Sequence, residues 1–344
     1  MTSGPPMTGS PVTGGSAGQP VVEPAPPARR AARIVPVAVV AVLALLPLVL
    51  GPAPITLAGR IVAFALLVLA VDLLTGITGM PTLGAVAYFG TGAYAAGLVG
   101  VHLTSNAFAQ LAAGTLVAAV VAAVTGSVAV RTGGIVFLMV TLAIAELAHQ
   151  AADSFALVGA SNGLAGIPPI SLLPGGPPLL LAGLVYWYAL AVAVAAYALV
   201  AHVVSSPFGR TLRGIRENEP RLRALGLRTY PAKLAAYTFS GAVAGAAGTL
   251  WVAQTRFFSP GDMGFEVSAF ALLSVVLGGA GTLWGPCLGA AVVILVRDEL
   301  SESVPQLQGR GGLLLGILFV AAVYLLPRGL AGVRGPSRRP AATP

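Results

Sequence analysis

The sequence predicts an all-α integral membrane protein that crosses the bilayer about ten times, with some short or broken helices and both termini in the cytoplasm. Three observations predict it. Of 344 residues, 56% are hydrophobic and only 9% charged, with a mean hydropathy of +0.89; a soluble domain needs far more charge to cover its surface. The apolar residues come in runs of span length, ~20 residues for a ~30 Å hydrocarbon layer. The net charge of +8 is gathered into short segments between these runs, which is a topology signal and not the spread footprint of a nucleic-acid-binding surface.

Taken in order, residues 1–33 read as a disordered Pro/Gly-rich cytoplasmic tail ending in the basic flank Arg29, Arg30 and Arg33. The membrane body is expected over 34–327. Its first span, about 34–50, stops at the breaker Gly51-Pro52-Ala53-Pro54. The second, about 57–75, leads to the glycine-rich break TGITGMPTLG at 75–84. A third follows at about 83–103 and a fourth at about 107–129, after which Arg131 marks a cytoplasmic turn. The fifth, about 134–152, carries Glu146 and His149. Residues 153–181 contain Asp153 and neither Lys nor Arg, so they lie outside. The sixth span, about 182–203, returns the chain to the cytoplasm.

There the one long charged stretch begins, over 204–233. It holds Arg210, Arg213, Arg216, Arg221, Arg223, Arg228 and the single lysine Lys233, against Glu217 and Glu219. Phe208, Leu212, Ile215, Leu222 and Leu225 recur at helical spacing, describing an amphipathic helix on the cytoplasmic face. An orientation signal alone explains the arginines but not the apolar stripe, nor a length far above the usual connection. A helix lying on the headgroups explains the stripe too. A helix that docks a soluble partner also explains Glu217-Asn218-Glu219, since acids are unwelcome against anionic lipid.

The seventh span, about 234–254, carries Gly241-x-x-x-Gly245, a spacing for close helix packing. The run 266–296 is broken at Gly278-Gly279-Ala280-Gly281 and Gly285-Pro286, giving two short spans, about 266–280 and 284–297. A last span at about 312–327 leads to a basic cytoplasmic tail, 328–344. Leu83-Gly-Ala-Val-Ala87 and Leu288-Gly-Ala-Ala-Val292 hint at a parallel internal repeat, each after a glycine break; chance matching of Gly and Ala is the other reading.

No catalytic constellation stands out. There is no GxxxxGK[ST], and Lys233 follows Ala232, so the chain carries no phosphate-binding loop of that kind. The lone Cys287 permits neither an intrachain disulfide nor a cysteine metal cluster, and His102, His149 and His202 are far apart. The expectation is a protein with no enzyme activity, no cofactor and no nucleic-acid partner. Glu146 is the most informative intramembrane charge, at a cost of ~3 kcal/mol if it faced lipid. It reads equally as a contact on a solute path, with His149 at i+3 able to pair with it, or as a packing pair. Asp72, near the inner end of its span, reads first as interfacial, and Thr141 as bonded to its own helix. The paired breaks containing Gly84 and Gly278, Gly279, Gly281 read as unwound backbone on a pathway, or as close packing without a ligand. These residues form the candidate solute path.

Several stretches together resemble the LivM-type permease subunits of ABC importers for branched-chain amino acids. They are SPFGRTLRGIRENE at 206–219 with ALGL at 224–227, AYTFSGAVAGAAGTLW at 236–251, LSVVLGGAGTLWGPCLGA at 273–290, GGIVFLMVTLAIAE at 133–146 and SNGLAGIP at 161–168. The resemblance covers about 35–330. It implies a multi-pass cell-membrane importer subunit, paired with a second, homologous permease, two cytoplasmic ATPases and an extracytoplasmic solute-binding protein. It maps the family's ATPase-coupling segment onto Gly209, Arg213, Arg216, Glu217, Asn218, Glu219, Ala224 and Gly226. Where the family usually reads SLGHAAFFGIGAY, this chain reads TLGAVAYFGTGAY at 82–94, with Ala85 in place of the histidine, and Asp72 stands where the family often has Asn. Related permeases move urea and other small polar solutes. A stand-alone channel or secondary transporter is the rival class, and has few intramembrane acids to work with.

Overall fold

Proline can open a helix because the first-turn N–H groups have no intrahelical acceptor. Pro52 does this in the computed structural model, which describes residues 42–47, 51–172, 179, 181–300, 316 and 330. The chain divides into two units, Met1–Val42 and Leu43–Pro344. Only Val42 of the first is described, and the helices named below all belong to the second. The expected tails and the last span, about 312–327, lie outside the described residues apart from Gly316 and Leu330. Of the expected first span, residues 43–47 of this unit are described and are helical.

Helix α1 (Pro52–Asp72) runs on into a π-helical turn, Leu73–Thr78, so the expected break begins later than 75. Gly79, at φ +75, then ends the helix, accepting a conformation that a side chain would strain. Residues 79–84 form a non-helical connection that ends in a turn at Gly84. They are followed by α2 (Ala85–His102) and α3 (Ala107–Ala129), the latter capped by Asn106, whose side chain accepts from the N–H groups of Phe108 and Ala109. Then come α4 (Gly134–Ser154), α5 (Ala182–Ser205), α6 (Pro207–Ala224) and α7 (Thr229–Thr255). The long apolar run splits into α8 (Phe265–Gly278) and α9 (Trp284–Ile294), and α9 continues through a second π-helical turn, Leu295–Leu300. Leu83 lies before α2 whereas Leu288 lies within α9, so the repeated pentapeptides do not occupy equivalent places.

Five helical stretches among the described residues are long and apolar enough to cross a membrane: Ala53–Thr78, Ala107–Ala129, Gly134–Ser154, Ala182–Ser205 and Pro260–Gly278. α2 and α7 lie at the centre and bury most of their surface. In a bilayer the lipid tails are as apolar as leucine, so helices associate through close van der Waals contact at small residues. Gly92 of α2, Gly114 of α3 and Gly245 of α7 meet in this way: a Cβ on Gly92 would overlap the Gly245 carbonyl, and one on Gly114 would lie 2.7 Å from the Gly92 carbonyl oxygen. Below this crossing the Tyr88 hydroxyl bonds those of Tyr237, at 2.7 Å, and Thr125, at 2.6 Å. The 155–172 loop is pinned by backbone pairing of Leu164 with Phe258 and of Asn106 with Ser171.

The exposed stripe of α3 is apolar throughout, with Phe108, Leu116, Val120, Val124 and Val128. That of α4 differs: Val136, Met139 and Leu147 share it with Glu146 and Gln150.

Candidate functional site

The charged loop folds into two arms. Ser206 caps α6 with a side chain that accepts from the Gly209 N–H, and Pro207 occupies the first turn. Leu212 and Ile215 are buried against the body, and Gly209 lies so close to the Val204 backbone that a Cβ would overlap it. Arg210, Arg213 and Glu217 on the other side are exposed. This is the amphipathic helix the spacing predicts, but it does not run straight through. At Asn218 (φ −162, ψ 90) the backbone leaves the helix, and the Asn218 side chain accepts from the Arg221 N–H at 3.0 Å, capping a short second arm. Pro220, which has no N–H, sits just inside that arm, where it is tolerated.

Glu219 does not face outward. Its carboxylate accepts hydrogen bonds from Arg223 Nη2 at 2.6 Å, Thr229 Oγ1 at 2.9 Å and Lys233 Nζ at 3.3 Å. The second arm is thereby clamped to the first turns of α7, where Lys233 is buried. At the tip Leu225 and Leu227 are 72% and 47% exposed, and Gly226 at φ +83 makes the turn. Ala224 closes the second arm.

Burial alone would raise the carboxyl pKa of Glu219, but the bonds from Lys233, Thr229 and Arg223, with the charge of Lys233, outweigh it and hold it below the usual value. A lowered folded value means the clamp is fully formed above the ordinary carboxylate pKa and is lost as pH falls through the folded one. Acid should therefore raise hydrogen exchange over 219–229, and Glu219→Gln should show the raised exchange at neutral pH with no further acid dependence. Acid-independent protection in the native chain would contradict this.

The first arm reaches further inward. Arg216 Nη1 donates to the carbonyl oxygen of Gly76, in the π-helical turn that ends α1, and its stem lies against Gly79. One turn before Gly76, Asp72 is completely buried. Its Oδ1 accepts from the Gly281 N–H at 2.6 Å and its Oδ2 from the Leu283 N–H at 3.3 Å. Those donors belong to the linker between α8 and α9. Gly279 has φ +101 and Gly281 φ +85. Leu283 has φ +60, a conformation costing a residue with a side chain about 1–3 kcal/mol. Asp72 thus satisfies backbone donors that the broken helix leaves unpaired. The two glycine breaks meet here: a Cβ on Gly76 would overlap the Gly281 nitrogen and the Asp72 carboxylate. The residues singled out from the sequence as Asp72, Gly279, Gly281 and Arg216 therefore form one cluster, and Gly278 packs beside it on the Gly285–Pro286 backbone.

The other candidates lie elsewhere. Thr141 is buried; its hydroxyl donates to the Leu138 carbonyl at 2.9 Å, and its Oγ1 also accepts from the Leu83 N–H at 3.3 Å. Gly84 packs on it, with a Cβ 3.0 Å from the Thr141 carbonyl oxygen. These contacts, with Ser268 Oγ donating to the Leu83 carbonyl at 2.9 Å, hold the end of the non-helical 79–84 segment. Glu146 is exposed and accepts from Gln150 Nε2 at 3.2 Å. His149 pairs instead with the Pro260 carbonyl oxygen, at 3.0 Å, because the turn after α7 comes to it.

Sequence reasoning misses the Asp72–linker contact and the inward turn of Glu219. The first has no local signal, since Asp72 and Gly281 are 209 positions apart; for Glu219 the one local signal is Arg223 at i+4.

Residues 53–323 match the model of the family described as branched-chain amino acid transport system permease component. Among curated proteins the chain is similar to the high-affinity branched-chain amino acid transport system permease protein LivM of Salmonella typhimurium and that of Escherichia coli. Each is 28% identical over 312 residues, covering 84% of this chain and 72% of the relative. No solved structure matches the chain.

Proposed function

The chain belongs to the branched-chain amino acid transport permease family, and on that premise we propose what it moves and how it is driven. It is a multi-pass cell-membrane protein and the permease component of an ABC importer, a transport subunit that works with other subunits of its system. The solute we propose is a branched-chain amino acid or a similar small polar molecule, passed inward between this chain and a second, homologous permease. The further partners are two cytoplasmic ATPases and an extracytoplasmic solute-binding protein.

The observation that supports this most is the two-sided build of α6. Its inner side is fixed to the body by Leu212, Ile215, Arg216 and Glu219, while its outer side offers Arg210, Arg213 and Glu217, with Leu225 and Leu227 at the tip. A helix gripped on one side and bare on the other transmits force from whatever binds it. Closure of the ATPase pair displaces α6, the spans re-pack, and access switches from outside to inside.

Reversing the exposed charges, Arg213→Glu with Glu217→Arg, should leave the chain in the membrane. It should reduce both co-purification of the ATPases and ATP-driven uptake in proteoliposomes by about tenfold, the equivalent of one or two lost charged contacts. Undiminished coupled uptake, or uptake by the wild-type chain with no ATPase present, would overturn the reading.

The path itself we place on the exposed stripe of α4. A carboxylate past the middle of a membrane helix does not face lipid without a cost of ~3 kcal/mol, and Glu146 and Gln150 are exposed on this chain alone. They fit the contact with the second permease and the solute between the two. Because Glu146 touches little within its own chain, Glu146→Leu should spare the thermal midpoint of the purified protein yet lower uptake severalfold. Normal uptake would remove Glu146 from the path.

A further inference from the structure

Among the attachments of α6, one differs in kind. Leu212 and Ile215 enter the packed core, and Glu219 clamps the second arm to α7, a helix locked at the centre by its glycines. Arg216 instead grips backbone at the junction of the two helix breaks. It holds the Gly76 carbonyl. Gly76 lies one helical turn beyond Asp72, and the Asp72 carboxylate holds the N–H groups of Gly281 and Leu283. The linker's other hydrogen bonds are all to near neighbours in sequence: Gly279 N–H bonds the Val275 carbonyl, Trp284 N–H bonds the Thr282 carbonyl, and Thr282 Oγ1 bonds the Gly279 carbonyl, while the Leu283 side chain packs against the core. It also carries the strained Leu283. Glycine at 76 and 281 lets the two backbones touch, since a Cβ on Gly281 would lie 2.9 Å from the Gly76 oxygen and 3.1 Å from Arg216 Nη1. Arg216, the end of α1 and the linker are therefore joined by direct contacts.

We infer that the linker Gly279–Leu283 is the part of the permease that α6 moves, with Arg216 and Asp72 as the positioning residues that join them. This rests on the reading of α6 as the ATPase contact. Moving the linker shifts the inner ends of α8 and α9 relative to α1, opening or closing the cytoplasmic end of the body. Helices with full hydrogen-bond ladders resist such a change; a five-residue turn whose long-range hydrogen bonds all end on one carboxylate yields more readily.

The chain carries its own reporter. Its single cysteine, Cys287, has its Sγ–H donating to the Leu283 carbonyl oxygen at 3.3 Å, so thiol reactivity there follows the linker. In the full importer reconstituted with its ATPases, alkylation of Cys287 by a maleimide, followed by mass spectrometry of this chain, would be compared without nucleotide and after trapping with ATP and vanadate. The rates should differ by about tenfold, as the linker backbone covers or uncovers the thiol. Arg216→Ala should shrink the difference to about twofold or less, and Arg216→Lys, which can still donate to Gly76, should restore part of it. A merely destabilised variant would instead react faster in both states.

Equal rates in the two states of the wild type, which needs no variant to fold, would overturn the inference. So would a full difference surviving in Arg216→Ala. Co-purification of the ATPases, measured on the same samples, separates the failures. No bound ATPase would sink the functional reading beneath the inference, whereas bound ATPase with equal rates would sink the linker alone.

Discussion

Gly245→Val should fail to assemble as a stable membrane protein. At Gly245 a Cβ would overlap the Ala118 side chain and lie 2.8 Å from the Gly114 carbonyl oxygen. Valine adds two methyl groups beyond that, with one preferred rotamer in a helix. The neighbours cannot give way, because they are backbone and an alanine, and α2 presses on the same point through Gly92. Overpacking in a close-packed interior costs typically ~1–3 kcal/mol, and here no flexible side chain is available to absorb it. The expected result is loss of a monodisperse peak on size exclusion in detergent and a thermal midpoint far below that of the native chain. Gly133→Ala is the control: a Cβ there meets nothing within 4 Å. A native-like midpoint for Gly245→Val would show that the three-helix crossing has room for a side chain after all.

Asp72→Ala should have the second large effect. It strands the N–H groups of Gly281 and Leu283, whose acceptor is a completely buried side chain. Each unsatisfied buried donor costs about 1–3 kcal/mol, and the cavity left by the side chain adds to this. Asp72→Asn keeps one acceptor oxygen and should fall between native and alanine. Thermal unfolding in detergent orders the three chains, and ATP-driven uptake should fall in the same order. Equal midpoints for Asp72→Ala and Asp72→Asn would mean that the linker donors find other partners.

Much of the architecture is legible in the sequence, for identifiable reasons. The spans about 107–129 and 182–203 and the split of the 266–296 run appear because a bilayer imposes a length, and Gly and Pro interrupt it. The coupling segment shows because charge is scarce elsewhere. The kink at Asn218 is hidden, although an Asn two residues before a Pro is a capping signal, because the helical spacing of Leu222 and Leu225 continues straight across it. Glu219, expected to face a partner, faces Lys233. His149 lies at the right spacing for Glu146, yet its ring turns to Pro260, a residue brought there by another part of the chain.

By itself the sequence determined a polytopic helical membrane protein with one basic amphipathic segment, because hydropathy, span length and charge placement are properties of short windows, and its motifs supplied the resemblance to a permease family. Only the tertiary structure decided that Asp72 is buried and that the two glycine breaks and Arg216 converge. Those contacts join residues 140 to more than 200 positions apart, and they exist only where helix packing brings together backbone donors and acceptors that the helix ladders leave unpaired.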